Sequence, residues 1–224
     1  MNKGGAYEET AVLYRSNAQS RAIEEALLRI SIPYRIYGGL RFYERLEIKN
    51  AIAYLKIIFN NNDNPSFERS ISNPTRGVGE KTLGKIRQTA QKYNISYIKA
   101  SAKLIDEGSI SGRGGSGLRD YLEFVAGCKS FIEDNSLSDL MELIIKESGL
   151  YSYHAKEAGE KGKTRTENLE ELITATKNFE QSVKEDKTNT EIAENYLDVI
   201  SLDAGDRQAA EHDDAAQLLS LIHI

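Results

Sequence analysis

The run at residues 73–83, NPTRGVGEKTL, holds the side chains and spacings in this chain best suited to handling an anion. Gly77 and Gly79 flank Val78, so the backbone can turn sharply and meet a ligand with no Cβ in the way. From Glu80 the apolar residues Leu83, Ile86, Ala90 and Tyr93 recur at helical spacing. A glycine turn feeding a helix start points unpaired N–H groups outward, where a phosphate oxygen can accept from them. Arg76, Lys81, Lys85, Arg87 and Lys92 surround the turn against the single acid Glu80. These residues fit a grip on a phosphate backbone. They fit equally a tight turn between two core helices with a solvated basic face, and both readings stand at this level.

Other chemistry finds less support. Gly162-Lys163-Thr164 has the ending of a phosphate-binding loop, but such a loop needs a glycine five positions earlier, where this chain has Glu157. A basic loop leading into a helix is the expectation there. Glu24-Glu25, Glu170-Glu171 and Asp213-Asp214 are carboxylates adjacent in sequence, none of them near a His or Cys in a pattern that suggests acid–base chemistry, so they read as solvated faces and helix-start charges. His154, His212 and His223 have no metal-ligand spacing, and no metal site is expected. Cys128, the only cysteine, falls on an apolar helical stripe and reads as a small core residue, which suits a reducing cytoplasm. Arg15-Ser16-Asn17 follows an apolar strand. Arg and Asn there could reach a phosphate or a base edge, while capping of the next helix by Ser16 or Asn17 is the alternative.

Several elements must position these groups. Residues 11–14 and 33–37 read as short strands around a helix at 19–30, a parallel pattern that needs a larger sheet to be stable. Beyond Gly39 the period becomes helical. Helices are predicted over 45–59, 65–71, 80–93, 96–105, 118–132, 137–145, 164–179 and 192–202, with residues 108–117, rich in Gly and Ser, as a mobile loop. Residues 203–214 read as an acidic loop and 215–224 as an unfinished strand. The net charge of −5 hides an asymmetry: residues 34–92 carry eleven Lys or Arg against five Asp or Glu, whereas residues 185–214 carry ten acids against two bases. A basic stretch on an acidic chain suggests a localised polyanion-binding face. No apolar run reaches membrane-spanning length, and the first residues lack a secretory h-region, so a cytoplasmic protein with no membrane partner is expected.

LYRSNAQSR (13–21), PYRIYGGLRFYERLEIKNAIAYLK (33–56), NPTRGVGEKTL and KGKTRTENLEEL (161–172), in this order, closely resemble the C-terminal half of UvrD/Rep/PcrA-type DNA helicases of superfamily 1. The resemblance implies a mainly α fold: a helical 2B-type domain (38–210) inserted into an incomplete α/β RecA-like motor domain, 2A (1–37, with a return strand in 211–224). It implies a fragment of an ATP-dependent 3′-to-5′ helicase that grips duplex DNA and supplies part of the single-strand track. Carried over by residue, Arg15 and Asn17 match single-strand contacts. Thr75, Arg76, Gly77, Val78 and Gly79 match a helix-hairpin-helix-like element that holds the duplex by its backbone. Thr82 and Lys49 match positions near that contact, and Lys81, a cation beside the turn, is counted with the DNA-binding residues. Arg165 and Asn168 belong to a family signature expected to be structural. The family's ATP and Mg²⁺ motifs are not in this sequence, so no cofactor and no catalytic residue is expected in the chain itself. Residues 222–224 depart from the family pattern. The expected partners are duplex and single-stranded DNA and the rest of the motor. The alternative is a stand-alone, non-enzymatic DNA-binding or partner-docking module.

Overall fold

Short apolar runs near the two ends of the chain build one sheet, and helical periodicity builds everything between. The computed structural model describes residues 10–14, 19–32, 34–37, 42–183, 187–205 and 216–220. Strands β1 (Ala11–Tyr14), β2 (Tyr34–Tyr37) and β3 (Ala216–Ser220) form a parallel sheet in the order β1-β3-β2. Val12 lies opposite Leu218, and Ile36 opposite the same residue from the other side. The two early strands therefore do not pair with each other; the late strand enters between them. Helix α1 (Ser20–Arg29) crosses from β1 to β2, as a parallel connection requires. It stops before Ile30, which is exposed rather than inward as its spacing predicts.

After a 3-10 turn at Phe42–Glu44, nine helices follow among the described residues: α2 (Leu46–Phe59), α3 (Asn64–Ser72), α4 (Glu80–Tyr93), α5 (Tyr97–Asp106), α6 (Gly112–Asp134), α7 (Leu137–Glu147), α8 (Leu150–Ala155), α9 (Glu160–Ser182) and α10 (Asn189–Gly205). The chain is mainly helical. Ten of the fourteen residues of α2 are buried, so it is the central helix, apolar nearly all round, with α3, α6, α7 and α9 packed on it. Phe67 of α3 and Tyr121 of α6 meet edge to face at 5.4 Å, and Tyr121 lies 6.1 Å from Tyr54 of α2. Cys128 is buried in this core, and burial pushes its thiol up to about 12. Starts follow local chemistry: Asp63 caps α3 through the Ser66 N–H, and Ser136 and Asp139 form a reciprocal capping box on α7.

The hydrophobic residues form two clusters. One runs from Phe42 to Ile200; the other, small, gathers Tyr14 and Tyr34 with Val12, Ile23, Leu27, Ile32 and Ile36. A polar clasp joins them. Arg45 donates to Ser20 Oγ (2.7 Å) and to Asn168 Oδ1 (2.9 Å), Asn168 donates in turn to Glu47 (2.6 Å), and Arg21 pairs with Glu171 (2.5 Å). Glu171, read as solvated, is half-buried in this clasp, and Asn168 is buried because it pairs across the helices. Tyr93, read as inward, is exposed at the end of α4, with the ammonium of Lys103 4.7 Å from its ring centre. No helix among the described residues is long and apolar enough to cross a membrane.

Candidate nucleic-acid interface

Between α3 and α4 the chain alternates. Thr75, Gly77 and Gly79 are exposed, while Arg76 and Val78 turn inward. The outward positions therefore carry one small side chain and two glycines, and the solvent-facing surface of the turn is largely main chain. Val78 anchors it in the core. Arg76 anchors it more firmly, donating to the carbonyls of Ser70 (3.2 Å), Pro74 (3.0 Å) and Ser148 (2.7 Å). Its guanidinium lies 5.5 and 5.6 Å from the ring centres of Tyr54 and Tyr121. Arg76 thus leaves the exposed basic rim where its sequence position puts it. Internal carbonyls occupy three of its five N–H donors.

The two glycines are there for different reasons. Gly77 has φ +74°, a left-handed conformation that favours glycine, and a Cβ there would stand 2.9 Å from Arg113 Cγ. Gly79 has φ −96° and ψ 179°, ordinary for any residue, and a Cβ there would meet nothing within 4 Å. Nothing in the fold asks for glycine at 79. It is the N-cap of α4, yet it offers no side chain to cap the helix; the N–H groups of Thr82 and Leu83 reach only the Gly79 carbonyl. Lys81 is exposed on the first turn, with no carboxylate at ion-pair distance among the described residues, and Thr82 is half-buried. Arg87 binds Glu68 (2.6 Å) and Glu80, and these carboxylates raise its pKa. The one acid beside the turn is therefore paired.

Residues 108–117, expected as a mobile loop, are a correction. From Gly112 they form the first turns of α6, and their glycines let its backbone abut the turn. A Cβ on Gly114 would stand 3.1 Å from the Gly77 carbonyl oxygen, and one on Gly117 1.9 Å from that of Arg76. Sequence reasoning missed Arg113 for this reason; a cluster of glycines entering an apolar helical period is the signal of close backbone approach that could have found it. Lys85 also reaches across, donating to the Ser109 carbonyl at 2.9 Å.

The remaining candidates are dispersed. Lys49 is exposed on α2, and no hydrogen bond or ion pair joins it to the turn among the described residues. Arg15 and Asn17 lie outside the described residues. Gly162, Lys163 and Thr164 sit in the first turns of α9 rather than in a loop; a Cβ on Gly162 would stand 2.3 Å from the Glu157 carbonyl oxygen, and Lys163 faces Glu167 at 3.9 Å. Arg165 pairs with Glu157 at 2.6 Å, and the same carboxylate bonds His154 Nδ1 at 2.8 Å. These partners, with those of Asn168, give α9 a structural role. A cavity of about 380 Å³, lined by Glu25, Tyr43, Phe179 and Tyr196 among others, lies between α1, α9 and α10, on elements other than those that form the turn.

The chain is thus mainly helical with a parallel sheet near its ends, and it presents a main-chain turn beside basic side chains. Residues 1–110 match the UvrD-like helicase C-terminal domain, and the chain belongs to that family. It is 45% identical to DNA helicase II of Escherichia coli (strain K12) over 220 residues, 98% of this chain and 30% of that protein. It is 43% identical to DNA helicase II of Haemophilus influenzae over 97% of this chain and 30% of that protein. Against ATP-dependent DNA helicase PcrA of Bacillus subtilis (strain 168) the identity is 34%, over 95% of this chain and 29% of that protein. The chain spans about 30% of the length of the curated relatives it matches.

Proposed function

We propose that this chain is the duplex-gripping part of an ATP-dependent 3′-to-5′ DNA helicase of the bacterial cytoplasm. Residues 38–210 act as a 2B-type insertion, and residues 1–37 and 211–224 contribute strands to a RecA-like 2A motor domain. The entry of β3 between β1 and β2 supports this division, as does the exposure of Leu13 on β1, which suits a sheet with more protein against it. Gly79 carries the proposal. It is exposed at a helix start, in a conformation open to any residue and in empty space, so the approach of a ligand to the main chain accounts for the missing side chain. The turn holds one duplex phosphate through the N–H groups at Gly77 and Gly79, with Thr75 and Thr82 beside it. Lys81 and Lys49 neutralise further phosphates. Arg76 and Val78 set the shape of the turn from inside. Arg15 and Asn17, after β1, belong to the single-strand track. Phosphate contacts carry no sequence information, so binding is sequence-independent.

ATP and Mg²⁺ serve the whole helicase. The described residues do not fit them: the Gly162-Lys163-Thr164 run is helical, with no backbone cradle, and no cluster of His, Cys, Asp or Glu among the described residues could hold a metal ion. No step of this chain's own chemistry runs through the nucleotide.

The test compares duplex with single-strand affinity at two salt concentrations. Lys49→Ala and Lys81→Ala should each weaken duplex binding for every sequence and reduce the salt slope by about 1. Arg15→Ala should weaken single-strand binding alone. Equal duplex affinity in all three variants and the unaltered chain would contradict the proposal. So would DNA-stimulated ATP hydrolysis by the purified chain that Lys163→Ala abolishes.

A further inference from the structure

We infer that Arg113 is a phosphate-contacting residue of the same interface, delivered to the turn by the glycine-rich start of α6. The inference rests on the duplex-grip proposal above. Arg113 is remote from the turn in sequence but lies against it in space. A Cβ added at Gly77 would stand 2.9 Å from its Cγ, 3.3 Å from its Cδ and 3.4 Å from its carbonyl oxygen. The bare backbone of Gly77 is therefore the floor on which the Arg113 stem rests. Gly114, the next residue, abuts the Gly77 carbonyl, so α6 is held at a fixed distance from the turn.

Three arginines stand at the turn or on the helix it opens, and their donors are disposed differently. Arg76 spends its guanidinium on the carbonyls of Ser70, Pro74 and Ser148. Arg87 spends its own on Glu68 and Glu80. Arg113 is exposed and has no carboxylate at ion-pair distance among the described residues. Its stem is laid along the turn, and no hydrogen bond or ion pair occupies its fork of N–H donors among the described residues. A guanidinium held by its stem loses less side-chain freedom on binding than a free one, and its fork matches two phosphate oxygens at once. The structure thus adds to the contiguous motif a cation from another helix.

The experiment measures fluorescence anisotropy of a labelled random-sequence duplex with the full chain, at about 50 and about 200 mM salt. The variants are Arg113→Ala, Arg113→Met and Arg113→Lys, with Lys81→Ala for comparison and thermal unfolding as the check on folding. Arg113→Ala and Arg113→Met should weaken binding about fivefold at the lower salt and reduce the salt slope by about 0.9, the share of one neutralised phosphate. Arg113→Lys, which keeps the charge, should retain the slope. If Arg113→Met binds like the unaltered chain, or weakens with no change in slope, Arg113 only packs on Gly77 and the inference is overturned. A weakened Lys81→Ala in that same experiment would leave the grip proposal standing. Failure of the unaltered chain to bind duplex would remove both.

Discussion

Arg76 donates three hydrogen bonds to main-chain carbonyls while lying over the rings of Tyr54 and Tyr121, in the middle of a motif whose outer surface is nearly bare backbone. Its work is to hold the segment after α3 against the start of α8, through Ser148. Charge-assisted bonds of this kind contribute about 1.5–3 kcal/mol each where the partner would otherwise be left unsatisfied, and lysine cannot copy a planar fork between three carbonyls. Arg76→Ala should therefore lower the unfolding free energy by about 2–4 kcal/mol in urea titration, and Arg76→Lys should recover only part of that. A variant as stable as the unaltered chain would show that the carbonyls find water instead. The residue types at 73–83 were legible from the sequence, but the direction in which Arg76 points was not. It depends on Ser148, a residue far along the chain, and on two rings that only packing brings together.

At the scale of elements, local period found most of the helices. Leu83, Ile86 and Ala90 face inward on α4, and Leu118, Tyr121, Val125, Cys128 and Ile132 do so on α6. What local period could not supply was contact between distant backbones. The start of α6 reads as a loop because five of its first six residues are Gly or Ser, which are poor helix formers. It is helical where those glycines let it abut Arg76 and Gly77. Helix α8 and the first turn of α9 were invisible for a related reason: Gly149 and Gly159, both at positive φ, start them without side-chain caps. The sheet offers the same lesson, since the sequence shows that β1 and β2 need further strands but not that β3 enters between them. A chain ending at residue 205 should then lose amide exchange protection in β1 and β2 together, because both pair with β3. Helix α2, in the other hydrophobic cluster, should keep its protection. Retained protection in β1 would mean that the sheet is held by its helix rather than by its central strand.

Across the whole molecule, a basic stretch is set on an acidic chain, with residues 34–92 carrying eleven cations against five anions in a protein of net charge −5. Part of that charge is internal or paired, since Arg45 and Arg76 turn inward and Arg87 binds Glu68 and Glu80. In the proposed grip the decisive position carries no charge. Gly79 can accept a side chain without a clash, so Gly79→Val tests what approaches from outside. The measurement is the duplex affinity of Gly79→Val against the unaltered chain at one fixed salt concentration, with urea unfolding run on the same samples. Blocking hydrogen bonds from the main chain to a charged phosphate should cost about tenfold or more in Kd, with the unfolding midpoint unchanged. A folded Gly79→Val that binds duplex as tightly as the unaltered chain would contradict the grip.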